Sequence, residues 1–254
     1  MKMSRRSRRK KTLVILLMLC CIGVCIASIV ISQKVGAPKT TSQKKVTNDS
    51  EHKLDQKIEF DKMQYSTTDP SSIWVVVNKP NPLNPRQYTP AQFATVQGHR
   101  ISDRVAVDLN NMIDVAKQQG ITLRVISGFR SYDYQANLYN SYVMSDGQAN
   151  ADTYSARPGH SEHQTGFAVD IGGVHGCDVQ QCFGGTIEGV WVSQHAEEFG
   201  FIVRYTEANR AITGYDAEPW HLRYVGRELA SEMRDKKIDS LESFFGIKGG
   251  DYVD

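Results

Sequence analysis

The order of apolar and polar residues predicts a fold built from short strands and several helices. Apolar residues recur at helical spacing over residues 102–119, where Ser102 can cap the start and Gly120 can end the helix. Over residues 121–127, Ile121, Leu123 and Val125 alternate with Thr122, Arg124 and Ile126, which predicts a strand. Further strands are predicted over 72–78, 167–171 and 201–204, further helices over 132–144, 186–199, 226–237 and 240–246, and a loop over 145–158. Because these elements alternate without a repeated β-α-β rhythm, the pattern predicts an α+β fold.

The N-terminus has the pattern of a membrane anchor. Residues 1–11 are rich in Lys and Arg and contain no acid, and residues 12–31 are almost wholly apolar. About 19 apolar residues in a helix span roughly 28 Å, close to the ~30 Å hydrocarbon core of a bilayer. The basic flank favours the cytoplasmic side. We therefore expect a single-pass signal anchor in the cell membrane, with the rest of the chain on the extracytoplasmic side.

Residues 12–31 have two other interpretations besides an anchor. A cleavable signal peptide, cut near Ala27, usually has a shorter apolar core. A lipoprotein would use Cys20, Cys21 or Cys25, but large residues rather than small ones precede them. The pattern favours an uncleaved anchor.

The rest of the chain divides into a linker, one domain and a tail. Residues 32–68 are polar and poor in large apolar side chains, which predicts a flexible linker. Residues 69–247 are long enough for one domain, and residues 248–254 are expected to fray as a tail. From residue 63 onward there are 16 basic and 23 acidic residues, a net charge of about −7. This balance gives no reason to expect nucleic-acid binding.

Two distant segments carry the candidate chemistry. The first offers His163 and, seven residues later, Asp170; the second offers Glu218 and, three residues later, His221. Two His and one Asp are a three-ligand set for a zinc ion that keeps its fourth position open to water. Glu218 is then free to act as general base. Each of these residues alone would more often be a surface or hydrogen-bonded side chain, so the prediction depends on the whole set.

The local backbone of both segments can be predicted. The residue before a proline is disfavoured in a helix, so the segment with Glu218 and His221 is expected to be extended around Pro219. It therefore differs from the HExxH motif, in which one helix presents both histidines. Thr165 and Gly166 predict a turn that would bring His163 back towards the strand with Asp170.

The pattern SxHxxGxAxD followed by ExxH resembles the D-Ala-D-Ala carboxypeptidase family of zinc metallopeptidases, the VanY-type branch that trims bacterial cell-wall peptides. Further blocks in the family's order span roughly residues 70–246; they are 127–132 with Gln135, 158–166, 200–205, 213–215 and 218–226. The resemblance implies a small antiparallel sheet flanked by helices, with one zinc ion on the sheet. It also implies that His163, Asp170 and His221 bind the zinc and that Glu218 is the base.

The resemblance adds three residues to the expected site. Arg130 would be a fixed cation that holds a substrate carboxylate or stabilises an oxyanion. Gln135 and Ser161 would contact substrate. By spacing alone, Arg130 could equally be a surface arginine and Gln135 a polar residue on a helix face.

The resemblance also implies the substrate. The expected partner is a peptidoglycan stem peptide, and no obligate protein partner is expected. We favour a D,D-carboxypeptidase that removes the terminal D-Ala of a pentapeptide. The first alternative is an L,D-carboxypeptidase acting on tetrapeptides. A less favoured alternative is a non-catalytic metal-bearing module that binds cell-wall peptide. Retention of Glu218 and Arg130 speaks against the last, because a pure binder needs no base.

The remaining histidines and cysteines carry separate expectations. His160 is expected behind the ligands or in solvent, whereas His175 and His195 have no partner at metal spacing. Cys177 and Cys182 enclose four residues, and outside the cytoplasm a disulfide is plausible. Metal binding by these two thiols is the weaker alternative, because they lack a third soft ligand.

Overall fold

The computed structural model describes residues 59–253. The predicted cytoplasmic segment, the predicted anchor and most of the predicted linker lie outside this range. Within it, no helix combines the length and the apolar character that a membrane crossing needs. The first described residues pack on the folded unit, since the rings of Phe60 and Tyr65 lie 5.4 Å and 4.9 Å from that of Trp74.

The described residues form six short strands and seven helices. The strands are β1 (Phe93–Val96), β2 (His99–Ser102), β3 (Arg124–Ser127), β4 (Ala168–Gly172), β5 (Phe201–Tyr205) and β6 (Glu218–Tyr224). The helices are α1 (Asp103–Gln118), α2 (Tyr132–Asp146), α3 (Gln148–Tyr154), α4 (Ile187–His195), α5 (Arg210–Thr213), α6 (Arg227–Lys236) and α7 (Leu241–Phe245). Single 3₁₀ turns cover Glu162–Thr165, Gln181–Gly185 and Ala196–Phe199.

A four-stranded antiparallel sheet forms the centre of this unit, with its strands in the order β3-β4-β6-β5. β1 and β2 pair separately as a two-stranded sheet. Fully buried apolar residues come from helices and sheet alike, as Leu109 in α1, Ile171 in β4, Leu222 in β6 and Leu229 in α6 show. The predicted small antiparallel sheet flanked by helices is confirmed.

Helix α1 forms where its sequence predicts, although the side chain of Ser102 makes no capping hydrogen bond. It follows Ser102 and buries Val105, Leu109, Met112 and Ala116 along one face. These positions recur every three or four residues, so one side of the helix can face the sheet while the other stays polar. Gly120 adopts φ +79°, a left-handed conformation that glycine reaches without steric strain, and it ends the helix there.

The predicted strand over residues 72–78 is wrong. This segment is deeply buried, but it has no strand neighbour. Its carbonyls bond to a side chain instead: Arg223 Nη2 donates to the carbonyls of Ile73 at 3.0 Å and Val75 at 2.7 Å. Trp74 also donates its indole N–H to the carbonyl of Val225 at 2.9 Å. A buried guanidinium thus satisfies backbone acceptors that a sheet would otherwise have to satisfy.

Three other boundaries differ from the prediction. Strand β3 starts at Arg124 rather than at residue 121, and the predicted loop over 145–158 contains helix α3. Gly147, with φ +78°, separates α2 from α3, and the second helix is fixed by fully buried Ala151. The 186–199 helix is divided at His195 into α4 and a 3₁₀ turn.

The predicted fraying of the C-terminal tail is also wrong. The hydroxyl of Tyr252 accepts a hydrogen bond from the backbone N–H of Arg157 at 2.8 Å. The carbonyl of Lys248 accepts bonds from the side-chain amides of Asn78 and Asn81 at 3.2 Å and 2.8 Å. These contacts join the tail to two distant parts of the chain, which the polar composition of the tail did not indicate.

A network of buried charges connects strands β5 and β6 to the turn Glu162–Thr165 and to helix α7. Glu162 Oε1 accepts from Arg204 Nε and from Arg223 Nη1, each at 2.8 Å, and Arg204 Nη2 lies 2.7 Å from Glu242 Oε1. All four side chains are almost completely buried. Removing one partner from such a network leaves an uncompensated charge in a low-dielectric interior.

We expect Arg223→Met to destabilise the domain by about 3 kcal/mol, because Glu162 loses a partner and the carbonyls of Ile73 and Val75 lose their donor. Urea denaturation followed by tryptophan fluorescence measures this. The matched control is Arg227→Met, which removes a half-exposed ion pair with Asp108 and should change stability by less than about 1 kcal/mol. Equal effects of the two substitutions would contradict the assigned importance of Arg223.

Candidate active site

Three elements bring His163, Asp170 and His221 together. His163 lies in the 3₁₀ turn Glu162–Thr165, which ends at Gly166 with φ +73°. Asp170 lies in β4, and His221 lies directly opposite it in β6. A side chain at position 166 would meet the backbone nitrogen of Ser102 at 2.9 Å, so the turn that returns His163 to the sheet depends on glycine.

Their donor atoms converge on one point. His163 Nε2 lies 3.3 Å from Asp170 Oδ1, and His221 Nδ1 lies 3.5 Å from the same oxygen. One donor atom from each of the three residues lies within 4.8 Å of the others, and all three residues are buried. The sequence-predicted ligand set is therefore a single cluster.

Hydrogen bonds on the far side of each ring fix which nitrogen faces this point. His163 Nδ1 lies 2.7 Å from the carbonyl of Gly128, which can only accept, so this nitrogen carries the proton. His221 Nε2 lies 3.2 Å from Glu162 Oε2, which likewise accepts. The inward nitrogens, His163 Nε2 and His221 Nδ1, therefore present lone pairs.

The cluster fits a zinc ion. Two lone pairs and a carboxylate oxygen face each other, and His163 Nε2 and Asp170 Oδ1 have no hydrogen-bond partner among the described residues. Such an arrangement is repulsive unless a cation lies between the donors. With zinc bonds of about 2.0–2.1 Å, tetrahedral donors lie about 3.3–3.4 Å apart. The distances from Asp170 Oδ1 to His163 Nε2 and to His221 Nδ1, 3.3 Å and 3.5 Å, are close to this value. Burial lowers the pKa of His163 to about 4, and the charge of Arg130 adds to this, so the ring is neutral and can bind metal.

Asp170 also contacts Arg130. Arg130 follows β3, and its Nη2 donates to Asp170 Oδ2 at 3.1 Å, which leaves Oδ1 for the cluster. Burial alone would raise the pKa of Asp170, but His163 and Arg130 outweigh burial and hold it well below its ordinary value. The carboxylate is therefore ionised.

Glu218 begins β6 and lies beside the cluster. Its Oε2 is 3.5 Å from His221 Nδ1. Burial raises the pKa of Glu218 well above its ordinary value, and the charge of Asp170 adds to the shift. The predicted extended backbone around Pro219 is confirmed. In a regular strand, side chains three residues apart point to opposite faces, but the pairing of β5 with β6 shifts register between Val203 and Tyr205, opposite this segment, and Glu218 and His221 line the same cleft.

Arg130, Gln135 and Ser161 line that cleft as well. Arg130 Nη1 lies 3.4 Å from Gln135 Oε1, while Arg130 Nε is buried without a partner in the described range. Gln135 Nε2 donates to the carbonyl of Ala156 at 2.8 Å, so this amide holds the chain after α3 in addition to facing the cleft. Ser161 is buried at the cleft wall.

The cleft encloses about 260 Å³ and has an aromatic lining. The ring of Tyr205 lies 4.9 Å from that of His221. Tyr142, Tyr154, Tyr215 and Trp220 form much of the remaining wall. A pocket of this kind suits a short peptide with one charged end.

Sequence reasoning missed the role of Glu162. This carboxylate accepts from His221 and from both buried arginines, so it orients one ligand of the cluster. Burial would raise its pKa, but Arg204 and Arg223 outweigh burial and hold the pKa well below its ordinary value. Nothing in the local sequence shows that a glutamate beside His163 is buried; the only hint was its place inside the motif.

Three further histidines of the described range lie apart from the cluster. His160 is not behind the ligands or in solvent as expected: it is buried between Arg86 Nη1 and the carbonyl of Asn78, each 3.0 Å away. His175 pairs with Glu188, and His195 with Glu198, both at 2.7 Å.

The two cysteines are joined. Cys177 and Cys182 form a disulfide with their Cα atoms 5.6 Å apart. Val179, inside this ring, lines the same cleft as the cluster.

Comparison with known proteins places this site in a family. The family profile described as "VanY: D-alanyl-D-alanine carboxypeptidase" matches residues 98–227, which contain the whole cluster and Arg130. The carboxypeptidase YodJ of Bacillus subtilis is 38% identical over 187 residues, covering 69% of this chain and 68% of the relative. A D-alanyl-D-alanine carboxypeptidase of Enterococcus faecalis is 35% identical over 172 residues, covering 63% of this chain and 60% of the relative.

Solved structures agree with this placement. The LdcB LD-carboxypeptidase superimposes with a TM-score of 0.65 at 38% identity, covering 71% of this chain and 89% of that one. The L,D-carboxypeptidase DacB of Streptococcus pneumoniae gives 0.59 at 42%, covering 70% and 89%. The D,D-pentapeptidase VanY, solved in complex with Zn(II), gives 0.59 at 31%, covering 67% and 97%.

We expect His163→Ala to abolish stoichiometric zinc binding, because it removes one of three ligands. Metal analysis of the purified protein after dialysis measures this. His195→Ala is the matched control, since this partly exposed histidine pairs only with Glu198 and should leave the zinc content at about one ion per chain. Full zinc content in the His163 variant would show that the metal lies elsewhere.

Proposed function

The chain belongs to the VanY family of D-alanyl-D-alanine carboxypeptidases, and on that premise we propose that it releases the C-terminal D-alanine of peptidoglycan stem peptides. The observation that carries the proposal is the convergence of His163, Asp170 and His221 on one point, with Glu218 beside it. A metal site with an adjacent carboxylate is the arrangement that metal-assisted hydrolysis of a peptide bond uses. A module that only bound cell-wall peptide would need no such carboxylate.

His163 Nε2, Asp170 Oδ1 and His221 Nδ1 would hold the zinc ion. When bound, zinc supplies a Lewis acid that polarises the scissile carbonyl and makes water a better nucleophile. Gly128 and Glu162 orient the two rings from behind, and Arg130 directs Asp170. These contacts fix the orientation of the ligand side chains. Groups that hydrogen-bond to metal ligands in this way tune the affinity of a metal site.

Glu218 is the proposed general base and acid. From its position beside His221 it can take a proton from the attacking water and pass that proton to the amine of the departing D-alanine. It is buried at the floor of the cleft, where competing bulk water is largely excluded.

Arg130 is the proposed anion contact. Its Nη groups are held by Asp170 and Gln135, whereas its Nε has no partner in the described part of the chain. A fixed guanidinium suits the terminal carboxylate of the peptide or the oxyanion that forms during attack. Gln135 accepts a hydrogen bond from Arg130, and Ser161, which lines the same cleft, is the proposed further contact with the peptide.

L,D-cleavage of a tetrapeptide is the second candidate. The observation that favours it is the identity to solved L,D-carboxypeptidases, 38% and 42%, against 31% to the D,D-pentapeptidase. Both reactions release a C-terminal D-alanine and need the same metal cluster. They differ in the configuration of the residue on the other side of the scissile bond.

We also propose that residues 12–31 anchor the protein in the cell membrane with the domain on the extracytoplasmic side. The support is the apolar run behind a basic segment, together with a substrate class that lies outside the cytoplasm.

The reaction is tested with the full chain in detergent. We expect loss of one alanine from a stem pentapeptide ending in D-Ala-D-Ala, followed by mass spectrometry, and abolition of that loss by a chelator. Loss only from a tetrapeptide ending in a single D-Ala would identify the L,D-enzyme. Loss from neither peptide by zinc-loaded protein would contradict the proposed function.

Glu218→Gln is the mechanistic control in the same assay. It should lower kcat by about 10²–10⁴ while zinc content stays unchanged, because the proton carrier is lost and the ligands are kept. Glu228→Gln, at an exposed position of α6, is the matched substitution and should retain activity. Full activity of the Glu218 variant would show that another group moves the proton.

The anchor is tested by fractionation of cells expressing the full chain. We expect the protein in the membrane fraction after an alkaline wash and a domain accessible to added protease in cells stripped of their wall. A chain lacking residues 1–31 should not be retained in the membrane. Release of the full chain by the alkaline wash would contradict an integral anchor.

A further inference from the structure

The ring closed by Cys177 and Cys182 forms one wall of the cleft. Val179 from this ring lines the cleft that also contains His163, Asp170 and Glu218. Leu138, Tyr142 and Tyr154, from the α2–α3 pair, line it too. The ring is therefore part of the surface that an occupant of the cleft meets.

Three attachments hold the ring in place. The disulfide closes it, and Cys177 packs against the hydrophobic core. Asp178 points back into the domain, where Oδ1 accepts from the backbone N–H of Gly173 at 3.1 Å and Oδ2 pairs with Arg124 of β3. On the other side, the 3₁₀ turn Gln181–Gly185, which begins inside the ring, places Gly184 against Pro219, next to Glu218.

The ring holds Val179 in an unfavourable backbone conformation. Its φ is +54°, and that of Cys177 is +65°. A β-branched residue is a genuine outlier in the left-handed region, and such a conformation persists only where the surroundings impose it. The attachments of Asp178 and the disulfide on either side of Val179 supply that constraint.

The exposure of Val179 shows which part of a peptide it meets. Gln135, Ser161 and His163, deep in the cleft, are 1%, 4% and 2% exposed, whereas Val179 is 45% exposed. A carboxypeptidase substrate has a single residue beyond the scissile bond, and that residue occupies the closed inner end. The remainder of the peptide must leave through the mouth, where an exposed apolar side chain can contact it.

We propose that the Cys177–Cys182 ring holds Val179 as a specificity-determining contact for the part of the peptide N-terminal to the scissile bond. Val179 thereby favours long stem peptides over truncated ones. The inference rests on the proposed function and adds to it, because neither the metal cluster nor Glu218 distinguishes peptides by length. The ring is the device that positions the contact, and Val179 supplies it.

The test compares two substrates of the full chain in detergent. One is the stem peptide that the wild-type protein cleaves, and the other is an N-acetylated peptide that keeps only the two residues flanking the scissile bond. Val179→Ala should raise KM for the long peptide by about fivefold, because apolar contact is lost. The rise should be several-fold smaller for the truncated peptide. Val179→Gly should behave alike, since glycine accepts φ +54° without strain.

Val107→Ala is the matched control. Val107 is 70% exposed on α1 and lies outside the cleft, so both KM values should stay as in the wild type. If Val179→Ala and Val179→Gly change KM equally for the two peptides, or for neither, the inference is overturned while the proposed function stands. Wild-type protein that cleaves neither peptide would overturn the proposed function and the inference together.

A second variant tests the role of the ring itself. Cys177→Ser combined with Cys182→Ser should raise KM for the long peptide, and Val179→Ala added to it should have little further effect, because Val179 is no longer held in position. An undiminished effect of Val179→Ala without the disulfide would show that the ring does not position Val179. Thermal melting checks that the domain without the disulfide is folded. If it is unfolded, the Val179 variants that keep the disulfide decide whether Val179 contacts the long peptide.

Discussion

The arrangement of the domain and its site depends on the hydrogen bonds and ion pairs of one buried carboxylate, that of Glu162. It accepts from Arg204 and Arg223 on one side and from His221 on the other, and all four groups are buried. Arg223 continues to the carbonyls of Ile73 and Val75, and Arg204 continues to Glu242 of α7. The charge of Glu162 thus connects the segment 72–78, the last helix and one ligand of the metal cluster. Buried ion pairs are weak evidence of net stability, but they penalise any packing that leaves a charge without its partner.

The antiparallel register of β4 and β6 brings two of the three metal ligands together. Asp170 and His221 are cross-strand partners in β4 and β6, so their side chains leave the sheet on the same face. His163 arrives from outside the sheet, and the carbonyl of Gly128 after β3 orients its ring. Each ligand is also held from behind, and the inward nitrogens of His163 and His221 lie 3.3 Å and 3.5 Å from Asp170 Oδ1. Two lone pairs and a carboxylate oxygen at such distances repel one another, and a cation bound between them relieves that repulsion.

Sequence-based prediction was most successful where chemistry or periodicity is local. The stripe of Leu109 and Met112 predicted α1, and Pro219 predicted the extended segment of β6. The three residues of the cluster were found because metal ligands need particular residue types. Prediction failed where a distant group decided the outcome: residues 72–78 have strand-like composition, yet Arg223 takes the place of a neighbouring strand. Tyr252 is fixed by Arg157, 95 residues away, which no property of the tail could indicate.

The sequence by itself determined the kinds of atoms available for chemistry, the helices with a clear apolar face and the turn that requires Gly166. These follow from residue type and from contacts between near neighbours in the chain. Only the tertiary structure decided which nitrogen of His163 and of His221 faces the metal, that Glu162 is buried behind His221, and that Val179 reaches the cleft. Each of these outcomes depends on groups far apart in sequence, since burial and hydrogen-bond partners are properties of the packed chain and not of a segment.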